Sequence, residues 1–411
     1  MSSPAKVLAI NFGGIGDEVL FLPTLERIKE LAPDCELTLL VEPRSKSVME
    51  VTNLIDKIIT FDIKKKPLTP FDLIALTMLL RKGGYDMVIS SGSSPMVAML
   101  LFLSGIKLRV GYDAGSPVKS LLTHPVKLLR EQYAADMYHD LTKGMANYLR
   151  RKANPNASIR DIDDTYQVPK ITLKADSLAA MKAFLEEGLK ATEGATQNAV
   201  TTDDTKQNDT KPTVASQIDT RPVKTVLIHP GTSQMAVSKG IIKHWSSENW
   251  LTFIRLLQNQ KDQPFQTRVI LCGGPDDKEV VAGLEKLLKA DEGKGSGNGS
   301  SAGAAPYISA VGKTKGLADL AALTSICDVL VCVDSAPMHI GVGLNKNLVA
   351  LFGPTDPKLL IPNQKNFKVL ADRPESNSSP PRSLQDGLGV RLHPETVYQS
   401  LLDLLRAESS Q

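Results

Sequence analysis

Short apolar runs alternate with longer amphipathic stretches along most of this chain. Apolar runs at residues 7–10, 37–41 and 58–61 have the length of strands, and residues 19–31 follow the first of them with a helical pattern. This alternation predicts an α/β fold with a mainly parallel sheet, because parallel strands need long crossover connections that are usually helices.

A polar stretch interrupts the alternation. Residues 192–221 hold Thr, Asp, Asn, Gln and Lys with almost no large apolar side chains, so burial there cannot offset the entropy of ordering. We predict an N-terminal domain at 1–173, a helix and flexible linker at 174–222, a C-terminal domain at 223–393 with a low-complexity insertion at 291–305, and a terminal helix at 394–411. Two such domains imply a cleft between them, lined by the carboxyl ends of strands.

Composition excludes several classes of protein. With 411 residues, 42% of them hydrophobic and 23% charged, the chain resembles a globular protein of two domains. A net charge of +3 does not indicate a nucleic-acid binder. The four cysteines form no CxxC pair, which argues against a disulfide framework or a zinc site. Without a signal peptide or a membrane-spanning run, the expected location is cytoplasmic.

The first motif is Asn11-Phe12-Gly13-Gly14-Ile15-Gly16-Asp17, between the first strand and its helix. Its three glycines let the backbone approach a ligand, and Asp17 lies near a helix N-terminus. Two alternatives remain at this point. Asp17 is a helix cap, or the loop binds NAD, although Val19 stands where the dinucleotide fingerprint needs its third glycine; Glu42 would then suit a ribose.

The second half carries two donor-rich loops after strands. One is His229-Pro230-Gly231-Thr232-Ser233, followed a dozen residues later by Lys243, and it offers hydroxyl, backbone N–H and ammonium donors to phosphate. It lacks the spacing of a P-loop. The other is Cys272-Gly273-Gly274-Pro275-Asp276-Asp277, in which an acid could accept from a ribose. A polar turn with a solvated lysine is the alternative for the first loop, and an ordinary turn for the second.

The most informative motif is Asp334-Ser335-Ala336-Pro337-Met338-His339, after the apolar run 329–333. It directs polar groups and a helix N-terminus toward the predicted cleft, although His339 alone would suit a buried helix histidine. Gly353-Pro354-Thr355-Asp356-Pro357 adds another polar loop at the same edge. Asp161-Ile162-Asp163 matches a DxD metal motif but follows a polar run, so we interpret it as a surface loop and predict no metal.

In this order, the motifs resemble those of the glycosyltransferase family 9 heptosyltransferases of lipopolysaccharide biosynthesis. The segment from Gly13 to Asp17, with Leu22-Pro23, is similar to the family's GxGD…P segment, and Phe352-Gly353-Pro354-Thr355 to its closing loop. His229 to Thr232 with Lys243-His244-Trp245 resembles its phosphate-binding stretch. Asp334 to His339 resembles its DSGxxH segment, except that Ala336 replaces glycine and Ile340-Gly341-Val342-Gly343 follows.

The resemblance implies a GT-B fold, two Rossmann-like domains facing each other across a cleft, and an inverting transfer that needs no metal or cofactor. It implies that Asp17 is the general base on the acceptor side, beside the loop of Gly13, Gly14 and Gly16. The implied roles in the second domain are diphosphate binding by Lys243, Thr232 and Ser233 and donor-sugar binding by Asp334, Ser335, Ala336 and His339. The loop of Gly273, Gly274 and Asp276 lies outside the family motifs, and its residue types suit nucleotide binding, with Asp276 accepting from the ribose.

The implied partners are a nucleotide sugar, ADP-heptose or a similar donor, and a glycolipid acceptor. A lipid-linked acceptor implies peripheral contact with the inner membrane surface, for which Lys64-Lys65-Lys66 and Arg150-Arg151-Lys152 are candidate basic patches or simply solvated faces. The alternative functions are a transferase of another nucleotide sugar, an NAD-dependent oxidoreductase and a non-catalytic binding protein of the same fold.

Overall fold

A computed structural model describes nine stretches of the chain: residues 5–65, 67–115, 118–153, 167–201, 220–238, 240–259, 262–292, 307–372 and 390–409. The chain divides into two compact units. The first contains Met1–Leu173, Val342–Leu344 and Lys358–Asn363, and the second contains Lys174–Gly341, Asn345–Pro357 and Gln364–Gln411.

The first unit is built on a parallel sheet, six-stranded in the described residues, with strand order β3-β2-β1-β4-β5-β6. Its strands are β1 (Lys6–Ile10), β2 (Glu36–Val41), β3 (Lys57–Thr60), β4 (Met87–Ser90), β5 (Leu108–Asp113) and β6 (His124–Lys127). Its helices are α1 (Ile15–Leu31), α2 (Pro70–Gly83), α3 (Pro95–Leu103), α4 (Val118–Leu121), α5 (Ala134–His139) and α6 (Thr142–Ala153), with a 3₁₀ helix at Pro43–Val51.

The second unit repeats this plan, with strand order β12-β11-β10-β7-β8-β9 and parallel pairing throughout its described ladder. Its strands are β7 (Val223–His229), β8 (Gln266–Leu271), β9 (Ile308–Ser309), β10 (Val329–Val333), β11 (Asn347–Phe352) and β12 (Phe367–Ala371). Its helices are α7 (Ala175–Thr201), α8 (Gln234–Ser238), α9 (Ser247–Gln258), α10 (Lys278–Glu292), α11 (Leu317–Ile326), α12 (Ala336–Gly343) and α13 (Pro394–Ser409), with 3₁₀ turns at Pro275–Asp277 and Pro357–Leu359.

Both sheets have the strand order of a doubly wound nucleotide-binding fold, so the α/β prediction is confirmed. Counted within each unit, the order is 3-2-1-4-5-6, and it reverses direction between the first and fourth strands. The reversal falls between β1 and β4 in the first unit and between β7 and β10 in the second. Open α/β sheets bind ligands outside the carboxyl ends of the strands at this switch point, which is where each unit's site is expected.

The apolar pattern explains how the second sheet is covered. Every residue of β10 is buried, as expected for a parallel strand with helices on both faces. On α9, Trp250, Phe253, Ile254 and Leu257 recur at helical spacing and are buried. Trp245 packs edge-on against Trp250 with ring centroids 4.8 Å apart, and both are buried, so these tryptophans are core residues.

Several boundaries differ from the sequence prediction. α1 starts at Ile15 rather than Val19, because Gly14 in extended conformation caps it. The sequence pattern of residues 134–150 predicts one continuous helix, but the structure has two helices there, α5 and α6. α7 continues to Thr201, ten residues into the predicted linker. The rest of that linker up to residue 219, residues 293–305 of the predicted insertion and the DxD at 161–163 lie outside the described residues.

Two further observations bear on the predictions from composition. The four cysteines are all buried and form no disulfide, so they are core residues. None of the helices within the described ranges combines the length and the apolar character needed to cross a membrane.

Candidate active site

The switch point of the first unit opens into a cavity of about 360 Å³, which is within the range of roughly 300–1,000 Å³ typical of small-molecule sites. Loops after β1 and β4 form two of its walls, and Ser91 Oγ joins them by donating to Asn11 Oδ1 at 2.6 Å. Asp17, Lys64 and Arg130 bring charge to the wall. The cavity therefore combines a carboxylate with cations at the position where the strand order predicts a ligand.

Asp17 is held in a defined position on this wall. It stands at the third position of α1, where its Oδ2 accepts from the Gly14 N–H at 2.8 Å. The Tyr138 hydroxyl donates to the other oxygen, Oδ1, at 3.3 Å. Burial, followed by the charge of Asp17, raises the pKa of the Tyr138 phenol well above its usual range, so this group remains a neutral donor. The Asp17 side chain thus stabilises the N-terminus of α1 and also lines the cavity. The N-cap residue itself is Gly14.

The glycines of the first loop differ in how closely neighbouring side chains approach them. A Cβ on Gly13 would overlap the side chain of Asp17, whereas a Cβ on Gly14 would lie 3.7 Å from both the Asp17 carboxylate and the Arg44 guanidinium. The Gly13 carbonyl accepts from Ser45 Oγ at 3.0 Å, which fixes the loop to the 3₁₀ helix at Pro43–Val51. Gly13 is therefore required by close approach to Asp17, and Gly16 lies within the first turn of α1.

Two buried carboxyl groups lie near this loop: Glu18 interacts with Asp17, and Glu42 interacts with Glu18. The sequence pattern assigned neither of them a role on the acceptor side. Glu42 forms ion pairs with Lys64 Nζ at 2.8 Å and with Arg44 Nε at 3.1 Å. Glu18 is 1% exposed, and burial, followed by the charge of Asp17, raises its pKa well above the usual range. Because Glu18 is neutral, it places no second negative charge beside the Asp17 carboxylate.

Glu18→Gln should flatten the pH dependence of folding stability. The pKa of Glu18 is higher in the folded chain than the value of about 4.3 expected when unfolded. Its stabilisation is therefore complete below the unfolded pKa and is lost as the pH rises through the folded pKa. Glutamine cannot ionise, so thermal melts from about pH 5 to 9 should show a smaller decline in Tm for the variant.

Glu187→Gln is the matched control, because Glu187 is an exposed glutamate on α7. It should leave the wild-type pH profile unchanged. If Tm declined equally with rising pH in the wild type and in Glu18→Gln, the result would contradict our assignment of Glu18 as a carboxyl whose ionisation destabilises the fold.

In the second unit, the structure brings together two residues that the sequence assigned to different tasks. Lys243 Nζ lies 2.7 Å from Asp334 Oδ2, and Thr355 Oγ1 donates to the same oxygen at 2.6 Å. Asp334 is 3% exposed, whereas the Lys243 side chain is 19% exposed and can reach a ligand. The three side chains form a cluster at the carboxyl ends of β10 and β11. We call it the Lys243 cluster.

A second buried pair lies beside the end of β7. His229 Nε2 is 3.1 Å from Asp277 Oδ2, and both side chains are buried. The Gly274 N–H donates to the same carboxylate at 2.7 Å, and a Cβ on Gly231 would overlap it. Close approach to Asp277 therefore explains the glycine at position 231, whereas a Cβ on Gly274 would make only an ordinary contact at 3.5 Å. Asp276, the acid chosen for the nucleotide ribose, is exposed, while its neighbour Asp277 is the one that joins the loops.

The remaining predicted residues lie near these strand ends. Thr232 and His339 are buried, and Gly273 is held close to Val281 of α10. The Ser233 carbonyl accepts from the Ala236 N–H at 2.9 Å, which starts α8. Ser335 Oγ donates back to the Val333 carbonyl at 3.1 Å, and Ala336 begins α12. Ser335 therefore contributes to the turn that presents the N-terminus of α12.

Four residues of these sites were missed: Tyr138, Glu18, Asp277 and Thr355. Glu18 and Asp277 each stand next to an acid that was chosen, and Thr355 lies in a loop that was noted without a role. The signal for Asp277 was its position at the end of a 3₁₀ turn that precedes α10. Tyr138 had no sequence signal, because it comes from a helix distant in the chain.

The sequence matches the model of one protein family, described as glycosyltransferase family 9 (heptosyltransferase), over residues 73–386. No curated protein matches the chain.

Solved structures share the fold. A family 9 glycosyl transferase from Veillonella parvula DSM 2008 superposes with a TM-score of 0.66 at 19% identity, covering 99% of each chain. ADP-heptose lps heptosyltransferase II of E. coli superposes with a TM-score of 0.64 at 18% identity, covering 98% of this chain and 99% of that one. E. coli heptosyltransferase WaaC with ADP superposes with a TM-score of 0.57 at 17% identity, covering 97% of this chain and 99% of that one. The fold is thus that of GT-B heptosyltransferase structures.

Proposed function

Because this chain belongs to glycosyltransferase family 9, and is accordingly a sugar-transferring enzyme, we propose that it moves heptose from ADP-heptose to a lipid-linked or lipopolysaccharide-type glycan. In this proposal the transfer inverts the anomeric carbon and needs no metal. One observation supports it most: in each unit, the residues of the family motifs lie at the switch point of the sheet. The likeness to heptosyltransferases that bind ADP favours this donor.

The first unit supplies the acceptor half of the reaction. An acceptor hydroxyl in the cavity transfers its proton to Asp17 as its oxygen attacks the anomeric carbon. The Gly14 N–H and the Tyr138 hydroxyl hold the carboxylate in place, so its orientation does not depend on the ligand. The proton is transferred late in the attack, once the acceptor hydroxyl has become acidic. The positioning of this hydroxyl against the anomeric carbon accounts for much of the rate acceleration.

The second unit supplies the donor half. As the bond from the anomeric carbon to the diphosphate oxygen breaks, negative charge grows on the leaving group, and Lys243, Thr232 and Ser233 stabilise it. Gly273, Gly274 and Asp276 contact the nucleotide. Asp334, Ser335, Ala336 and His339 hold the sugar. The contact of Asp334 with Lys243 at 2.7 Å couples sugar binding to diphosphate binding.

A transferase of a different nucleotide sugar is the nearest alternative. It is favoured by Ala336, which replaces the family's glycine at the start of α12, where the donor sugar is expected. NAD-dependent oxidation is disfavoured because Glu42, the residue that would bind the ribose, is buried and already paired with Lys64 and Arg44.

Nucleotide binding tests the donor half. At about 100 times its Kd, ADP should stabilise the folded protein by ~2.7 kcal/mol and raise Tm by several degrees. A thermal-shift panel of ADP, UDP, GDP and NAD measures this. Stabilisation by UDP or GDP instead of ADP would select the alternative sugar donor. Stabilisation by NAD alone, or by none of the four, would contradict the proposal.

Contact with the inner membrane surface from the cytoplasmic side is part of the proposal, because the acceptor is lipid-linked. The two basic runs offer limited support. Lys64 and Lys65 form ion pairs with Glu42 and Asp72, and Lys66 lies outside the described residues. Arg151 and Lys152 are exposed at the end of α6.

A further inference from the structure

Two neighbouring helices of the first unit turn large apolar side chains outward. α3 reads Pro-Met-Val-Ala-Met-Leu-Leu-Phe-Leu and contains no polar residue. Eight large apolar side chains on α2 and α3 are between 37% and 81% exposed: Phe71, Ile74, Met78, Leu79, Met96, Met99, Phe102 and Leu103. We call this surface the α2/α3 face. A cluster of exposed apolar residues of this size marks an interaction surface rather than ordinary scatter.

The face is not explained by the core of the unit. Leu76 and Leu80 of α2, together with Ala98, Leu100 and Leu101 of α3, already pack inward. The exposed residues recur at helical spacing on the outer side, for example Phe71, Ile74 and Met78, where a surface helix normally carries polar groups. These outer positions therefore need a partner other than the sheet.

Cations lie at one end of this face, where α2 and α3 have their C-termini. Arg81 and Lys82 stand in the last turn of α2, and Lys107 is exposed after α3. Arg81 Nε donates to the Leu103 carbonyl at 2.9 Å, which places its guanidinium beside the end of α3. The Arg109 guanidinium lies 5.5 Å from the centre of the Phe102 ring.

Acidic groups are scarce on the same surface. Within α2 and α3, Asp72 is the one acid, and its Oδ1 is paired with Lys65 Nζ at 3.1 Å. An apolar surface with a group of cations at one end suits the boundary of an anionic bilayer, where long basic side chains reach the headgroups.

The face also adjoins the opening of the acceptor cavity. Lys64, which lines the cavity, lies six residues before Pro70, the first residue of α2. Ser93, another lining residue, immediately precedes Ser94, the cap of α3. Phe71 and Met96, each the second residue of its helix, thus lie at the edge of the sheet where the cavity opens. A layer of lipid against these helices would lie next to the cavity.

We propose that the α2/α3 face is a membrane-docking surface that seats the first unit on an anionic lipid bilayer. The apolar side chains enter the headgroup region, and Arg81, Lys82 and Lys107 contact lipid phosphates. This deepens the proposed function, on which it rests, by naming the surface through which the first unit contacts the membrane. It uses that function in one respect, since a lipid-linked acceptor would then meet the cavity without leaving the bilayer.

Flotation of the full chain with vesicles tests the proposal. The wild-type protein should float with vesicles of phosphatidylcholine plus phosphatidylglycerol, and more weakly with phosphatidylcholine alone. Phe71→Gln/Met78→Gln/Met99→Gln/Phe102→Gln should reduce the bound fraction by about tenfold or more, because apolar burial drives insertion. Val223→Gln/Val369→Gln is the control, since these valines are 40% and 37% exposed in the second unit. It should bind as wild type does.

Further measurements separate the alternatives. Arg81→Gln/Lys82→Gln should remove the preference for phosphatidylglycerol. The fourfold variant should keep its ADP-induced rise in Tm, so loss of vesicle binding is not loss of folding or of the donor site. Absence of wild-type binding to both vesicles, or equal binding by the fourfold variant, would overturn the proposal. So would a wild-type dimer that the fourfold variant converts to monomer, because a second copy would then cover the face.

Discussion

Asp17→Asn should lower turnover by about 10²- to 10⁴-fold and leave the affinity for ADP unchanged. The amide cannot take the proton of the acceptor hydroxyl, but its oxygen can still accept from the Gly14 N–H that Asp17 Oδ2 now contacts at 2.8 Å. The start of α1 is therefore preserved. Steady-state kinetics with donor and acceptor, alongside calorimetric titration with ADP, measure the two effects separately.

Asp72→Asn is a closely matched control. Asp72 occupies the same third position of its helix, α2, and its Oδ2 accepts from the Thr69 N–H at 2.9 Å. It is absent from the cavity wall. The control should retain wild-type turnover. If Asp17→Asn were as active as this control, Asp17 would be a helix-capping residue and not the base.

Lys243→Met should impair both turnover and stability. Turnover should fall by about 10²-fold or more, because a preorganised charge at the leaving group is lost. Stability should fall by about 3 kcal/mol, because Asp334 is 3% exposed and would lose the cation 2.7 Å from its carboxylate. Chemical denaturation measures the second effect, and kinetics at saturating acceptor measures the first.

The double variant Lys243→Met/Asp334→Asn separates these two roles. It removes the uncompensated charge, and the asparagine oxygen can still accept from Thr355 Oγ1. Most of the lost stability should return while turnover stays low, as a double-mutant cycle would show. Recovery of turnover together with stability would mean that Lys243 only neutralises Asp334 and does not act on the diphosphate.

The sequence predicted the fold class well because buried parallel strands leave a strong signal. Runs such as Val329–Val333 are apolar at every position. Strands at the sheet edges gave little signal: β6 is His-Pro-Val-Lys, and in β12 only Phe367 is buried while the other residues are half-buried or exposed. The break between α5 and α6 near Asp140 has no glycine or proline to mark it, and it depends on tertiary packing.

Sequence patterns located the loops of the candidate site better than the partners within them. Glycines marked loops where a backbone approaches a carboxylate, as Gly13 does Asp17 and Gly231 does Asp277. They could not show that Lys243 and Asp334 would pair, because that contact joins segments about ninety residues apart. They also could not reveal the raised pKa of Glu18, which arises mainly from burial.

Transfer itself is the most direct test of the central claim. Purified protein is incubated with ADP-heptose and a lipid-linked glycan acceptor, and the ADP released is compared with the acceptor that gains one heptose by mass. The two products should form in equal amounts, with the anomeric configuration inverted. Release of ADP without a glycosylated acceptor, or a failure to consume ADP-heptose, would contradict the account.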